Sequence, residues 1–280
     1  MNDDSAVFIE LDPVERQLMV LALNEYSGLA KNGSELLPPA VGQHDADSFR
    51  NYHIRLLEAI KVAGPLTDLD WARALFLTEA SFGSEMVGTG WEWEIGQSSD
   101  TDIMALRSLQ DKIGTDARSR LLQANVAFGT PEGQTVETRR RVHSDGDPIE
   151  LDADDRRLMC TAIGAYTKSP RHGFSVLAPL VGQPTFETWV TYVAELERAL
   201  TENEDLVDLD WMRALLLAEI GFTSVLVGFG SHFRGADVHG IRILRRLQLS
   251  MGSHERYLLF RDNTTCGWIE YADWTGEASL

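Results

Sequence analysis

Along residues 13–26 the apolar side chains Val14, Leu18, Ala22 and Tyr26 recur every fourth position. That period places them on one face of an α-helix. The start of this helix is legible: Asp12 precedes it, Pro13 takes the first helical position and Glu15 the third. A capping carboxylate accepts orphan amide hydrogens there, and Pro has none to satisfy. A second helix is predicted over 46–62, with Phe49, Tyr52, Leu56 and Ile60 on one stripe. The third begins in LTDLDWARALFLTE, residues 66–79, capped by Thr67 or Asp68, with acids in its first turn that suit the helix dipole. Trp71, Leu75, Thr78, Phe82 and Met86 form its stripe, and Ala74, Leu77 and Ala80 leave little of its circumference polar. A helix apolar on most sides is a central one. Gly88 is the expected C-terminal stop. A fourth helix is predicted over about 100–113.

The same pattern is then written again. Residues 9–90 laid on 149–230 without a gap are identical at 33 of 82 positions. Ile-Glu-Leu-Asp opens both stretches, Tyr26 meets Tyr166, and Val-Gly-Gln recurs at 41–43 and 181–183. LVDLDWMRALLLAE at 206–219 answers the central helix, and Val-Gly-x-Gly recurs at 87–90 and 227–230. After a slip of two residues the register resumes at Arg107/Arg245, Leu109-Gln110/Leu247-Gln248 and Gly114/Gly252. A repeat of more than 100 residues is too long for the common solenoids and reads as a duplicated domain. The expected fold is mostly α: two four-helix units packed with pseudo-twofold symmetry. The counterpart of the second helix carries Trp189, Tyr192, Leu196 and Leu200, and that of the fourth covers 238–251. The tails ANVAF and CGWIEYADW are candidate short β segments. The units span 1–123 and 149–280, joined by a polar linker over 124–148 that holds the basic run Arg139–Arg141.

Charge narrows the functional classes. With 43 acidic against 25 basic side chains, the net charge is −18. Such a surface repels nucleic acid and anionic membranes and attracts basic partners. One segment, VLAPLVGQPTFETWV, has the Ala178–Gly182 spacing of a helix-turn-helix. Pro179 interrupts its first helix, and its second carries Glu187 with no Lys or Arg to meet phosphates, so nucleic-acid binding is not expected. Cys160 and Cys266 make neither a CxxC pair nor a disulfide framework. The acidic N-terminus lacks the basic and apolar regions of a signal peptide, and no apolar run is long enough for a bilayer. A cytoplasmic location without membrane contact is the expectation.

Candidate chemistry is sparse. Glu79 and Glu219 fall at matching places in the apolar central helices, where a carboxylate serves either as a general acid/base or as a buried structural partner. Arg107/Arg245 and the hydroxyls of Tyr26/Tyr166 are the expected partners. Trp71 and Trp211 read as core anchors. Asp70/Arg73 and Asp210/Arg213 read as surface pairs or caps. The two stretches diverge most after Val-Gly-x-Gly. The first carries Trp91, Glu92, Trp93, Glu94, Asp100 and Asp102, without Lys or Arg between Arg73 and Arg107. Aromatics supply buried area and acids supply steering, so this loop is the expected contact surface for a basic protein. The second carries His232, Asp237 and His239, metal-ligand types at no recognised spacing. Phosphate-loop, nucleophile-elbow and dinucleotide motifs are absent, and no cofactor is expected. The leading expectation is an acidic protein-binding module, of the inhibitor or immunity type, that masks a basic partner. Two alternatives stand beside it. One is an enzyme with Glu79, Glu219 and the His232/His239 loop in a cleft between the units. The other is a scaffold with two equivalent docking faces.

Overall fold

In a computed structural model, described over residues 5–28, 31–89, 99–128, 149–183 and 185–264, the chain is mostly helical. The described residues hold twelve α-helices and no β-strand; one isolated bridge pairs Val7 with Leu66. The first six are α1 (Pro13–Glu25), α2 (Lys31–Leu36), α3 (Ala46–Lys61), α4 (Asp68–Gly83), α5 (Ser99–Ile113) and α6 (Asp116–Ala124). The others are α7 (Ala153–Lys168), α8 (Phe174–Leu180), α9 (Phe186–Glu202), α10 (Asp208–Thr223), α11 (Asp237–Met251) and α12 (His254–Arg261). The candidate β segment ANVAF is the end of α6 and the coil after it, where Ala127 N–H bonds to Pro39 O. CGWIEYADW lies outside the described residues.

Capping chemistry sets the helix starts. Asp12 and Asp152 each accept from two first-turn amides, and Glu15 and Asp155 return a bond to the cap backbone. Thr67 caps α4 by accepting from the Asp70 amide. The α4 C-terminus differs from expectation. The helix ends at Gly83, and Ser84 is extended at φ −112°, ψ 132°. Gly88 follows one turn-like segment later. Its role is close approach rather than a left-handed stop: an added Cβ would lie 2.6 Å from Ser81 Cα. Such overlap excludes every residue with a side chain.

The recurring Val-Gly-Gln has a conformational origin. Gly42 and Gly182 adopt φ of +70° and +71°. The Gln43 and Gln183 amides then bond back to Pro38 and Ala178 carbonyls. A Cβ on either glycine would overlap the guanidinium of Arg73 or Arg213. Each of these arginines lies over a tyrosine ring, Tyr52 or Tyr192, and donates to a loop carbonyl, Asn125 or Asn263. Asp70 and Asp210 accept from those same tyrosines, so the expected surface pairs are partly buried clamps.

α1 packs on α3, α4 and α5; α7 packs on α9, α10 and α11. The two sets meet where α4 lies against α10 and α5 against α11. α4 and α10 are buried on nearly all sides from Trp71 and Trp211 onward, as their apolar circumference requires. Gly83 makes the close approach possible, since a Cβ there would overlap the Thr223 side chain. One hydrophobic core runs through both sets. α8 and α9 do follow one another as helix, turn and helix, with Pro179 inside α8.

Candidate functional site

Two fully buried carboxylates mark the place where the α1–α6 half meets the α7–α12 half. Glu79 sits in the penultimate turn of α4 and Glu219 in that of α10; both have 0% exposure. Burying a charge costs many times what burying an apolar group gains, so each needs a shell of partners. Most of that shell comes from the other half. Glu79 accepts from Ser224 Oγ at 2.5 Å and from the Val225 amide at 2.9 Å. Glu219 accepts from Ser84 Oγ at 2.5 Å and from the Glu85 amide at 2.9 Å. The third donor is a glutamine of the same half: Gln110 Nε2 reaches Glu79, and Gln248 Nε2 reaches Glu219, each at 2.7 Å. Early termination of α4 and α10 is what frees Ser84 and Ser224 to cross over.

The glutamines are held in orientation by arginines. Arg107 Nη1 donates to Gln110 Oε1 and Arg245 Nη1 to Gln248 Oε1, each at 2.9 Å, which turns the amide nitrogens toward the carboxylates. Both guanidiniums also cross between the halves. Arg107 donates to the Phe222 and Thr223 carbonyls, and Arg245 to the Phe82 carbonyl. Each lies over a phenylalanine ring, Phe222 or Phe82. Here the two sets diverge. Arg107 Nε closes a buried ion pair with Asp237 Oδ1 at 2.7 Å. Arg245 closes no ion pair among the described residues. Its nearby acids, Glu219, Glu85 and Asp102, act on it through charge, and burial lowers its pKa to about 10.

Burial raises both Glu79 and Glu219 to about 7. Ser224, Val225, Gln110 and Arg107 pull Glu79 back toward the ionised form; Ser84, the Glu85 amide and Gln248 do so for Glu219, against the Glu85 charge, which raises it further. Neither expected tyrosine hydroxyl bonds to a glutamate. Tyr26 OH donates to Leu77 O, and Tyr166 OH is buried without a hydrogen-bond partner among the described residues. Glu79 adds charge repulsion to the burial that raises Tyr166. A cleft of about 270 Å³ lined by Glu85, Met86, Gly252, Ser253, His254 and Tyr257 opens beside Glu219, but neither buried glutamate lines it.

The remaining candidates are dispersed. Trp91, Glu92, Trp93 and Glu94 lie outside the described residues. Asp100 is partly buried and pairs with Arg242 at 2.5 Å. Asp102 is 3% exposed; burial raises its carboxyl, and the Arg245 charge lowers it. Asp237 is committed to Arg107, His239 approaches Asp154 at 3.7 Å, and His232 is exposed against Phe229. Among the described residues, no three His, Cys, Asp or Glu side chains come together as a metal-binding group. No helix there is long and apolar enough to cross a membrane.

Ser84, Ser224, Gln110 and Gln248 are members of the site that a search for chemistry-bearing residue types passes over. Their signal was nonetheless present, since each pair is unchanged between the two repeated stretches. Comparison of the chain with protein-family models, curated proteins and solved structures gives no match.

Proposed function

We propose that the chain is an acidic protein-binding module that docks on and masks a basic partner. The observation that supports this reading is where its acid is spent. Most of the buried ionisable groups are held by partners inside the fold, whereas the outer stripe of α9 and the turn behind it expose Glu187, Glu195, Glu202, Glu204 and Asp205. From residue 172 to 212 the only Lys or Arg is Arg198, and Glu202 and Glu204 already hold it. A stripe of one sign raises the local concentration of an oppositely charged partner and speeds encounter, with strong salt dependence. The Trp91–Glu94 loop belongs to the same reading as an aromatic contact. The acidity of α9 also argues against the helix-turn-helix pair reading phosphates.

The repeated contacts support a second element of this reading, two copies of one unit about a pseudo-twofold axis; each copy holds two short helices, α2 and α6 or α8 and α12, beyond the four expected from the sequence. Every Glu79 contact named above has a Glu219 counterpart 138 or 140 positions away.

Affinity capture from lysate, eluted with a salt gradient, followed by titration of the recovered partner, tests the function. A basic protein released by salt is expected. Glu187→Lys with Glu195→Lys should weaken its binding by roughly tenfold or more. Trp91→Ala with Glu92→Gln and Glu94→Gln reports separately on the loop. A partner that is not basic, or that binds both variants at full affinity, overturns the proposal.

A further inference from the structure

We propose that Glu79 and Glu219 form a proton-operated latch between the α1–α6 and α7–α12 halves, holding protons when the halves are closed and releasing them as the halves part. The argument begins with the crossing. Each carboxylate rides on the central helix of one half and takes its serine hydroxyl and one backbone amide from the other. The halves cannot separate without both carboxylates losing these donors and meeting water. The serines are fixed in turn: Ser224 Oγ accepts from the Leu226 and Val227 amides, and Ser84 Oγ from the Met86 and Val87 amides. Each hydroxyl hydrogen is thus left to point at a glutamate. Three donors per carboxylate stabilise the ionised form, while complete burial favours the protonated one. A site built from that opposition changes state near neutrality.

The sign follows from linkage. In the closed molecule burial raises both groups to about 7; in water they return to the ordinary range, roughly 4.3. The closed form binds the proton more tightly. Its advantage is complete below the ordinary carboxylate range and is lost as pH rises through about 7. The groups facing Glu79 are Arg107 from α5, with Asp237 of α11 and Arg234 behind it, and Tyr166 from α7. Those around Glu219 are Arg245 from α11, Asp102 from α5 and Glu85 from the segment after α4. His53 and His172 lie elsewhere, bonded to Phe49 and Gly228 carbonyls. Burial lowers both, so their stability contribution falls as pH falls and has the opposite sign.

The test is carboxyl carbon NMR of the whole chain labelled at glutamate, titrated from pH 4 to 9. Glu79→Gln and Glu219→Gln assign the two signals. Hydrogen exchange at the Glu85 and Val225 amides, corrected for intrinsic rate, is followed over the same range. Two glutamates titrating near pH 7 are expected, with the opening constant rising roughly tenfold or more between pH 6 and 8. That rise should vanish in Glu79→Gln/Glu219→Gln. Glutamates that all titrate below pH 5.5, or a rise that survives in the double variant, overturn the latch. Should the double variant not fold, the wild-type titration decides alone: midpoints near 7 support the latch and midpoints below 5.5 end it.

Discussion

Arg107 and Arg245 occupy matching places, yet their chemistry differs by one contact. Arg107 holds Asp237 in an ion pair whose side chains are 6% and 9% exposed. Removing one member of such a pair strands the other charge, which costs about 3–5 kcal/mol. Arg107→Met should therefore lower stability by about that amount in urea titration. Arg245→Met strands no ion-paired partner and should cost clearly less; equal losses would show that the Asp237 pair contributes little. Gly42 gives a second contrast. Its φ is +70°, and a Cβ would overlap Arg73. The left-handed conformation alone costs an alanine about 1–2 kcal/mol, and displacement of Arg73 from Tyr52 adds to it. Gly28 has open space around it and no such φ, so Gly28→Ala should be near neutral in the same assay.

At the scale of elements, the critical contact is α4 against α10, where Gly83 faces Thr223. One position is empty so that the other can be filled. Gly83→Thr forces two threonines into the space of one and should destabilise by about 1–3 kcal/mol, the usual range for overpacking. Thr223→Gly opens a gap instead and removes the hydrogen bond that the Thr223 hydroxyl donates to the Glu219 carbonyl. The exchange Gly83→Thr/Thr223→Gly restores one large and one small residue. Its loss should fall well short of the sum of the single losses, a coupling that denaturation of all four proteins measures directly. Full additivity would mean that the helices do not meet through these residues.

The same scale explains what the sequence could tell. α1, α3, α4, α7 and α9 were legible because they combine a cap with a long apolar stripe: Asp12 with Leu18 and Ala22, Thr67 with Trp71 and Leu75. α10 starts at Val207 without a side-chain cap and was legible because it repeats the sequence of α4. α2, α6, α8 and α12 run to nine residues or fewer, too short for periodicity to separate helix from loop. Gly88 was misread because positive φ and close approach both select glycine, and only the packing against Ser81 distinguishes them. Burial of Glu79 and Glu219 followed from the apolar run around them. Their partners did not, because Ser224 and Ser84 lie 145 and 135 residues away and come within reach only through the crossing of α4 and α10.

For the molecule as a whole, net charge sets two responses to salt that have opposite signs. At −18, the closed chain repels itself, and screening relieves that repulsion. Screening also weakens surface ion pairs. The exposed pairs among them, such as Arg50–Asp47, Lys61–Glu58 and Arg198–Glu202, keep both side chains well open to water and are worth about 0–1 kcal/mol each. The buried Arg107–Asp237 and Arg256–Asp208 pairs feel salt little. Self-repulsion should therefore win. Raising NaCl from about 10 mM to about 1 M shortens the Debye length from about 30 Å to about 3 Å, and the urea midpoint should move upward with an unchanged slope. A downward shift would mean that the exposed pairs outweigh the excess acid. The same change in salt should weaken capture of a basic partner, because the α9 stripe then loses its reach. A molecule that becomes more stable while its binding weakens, over one salt series, places its excess acid in the service of association rather than folding.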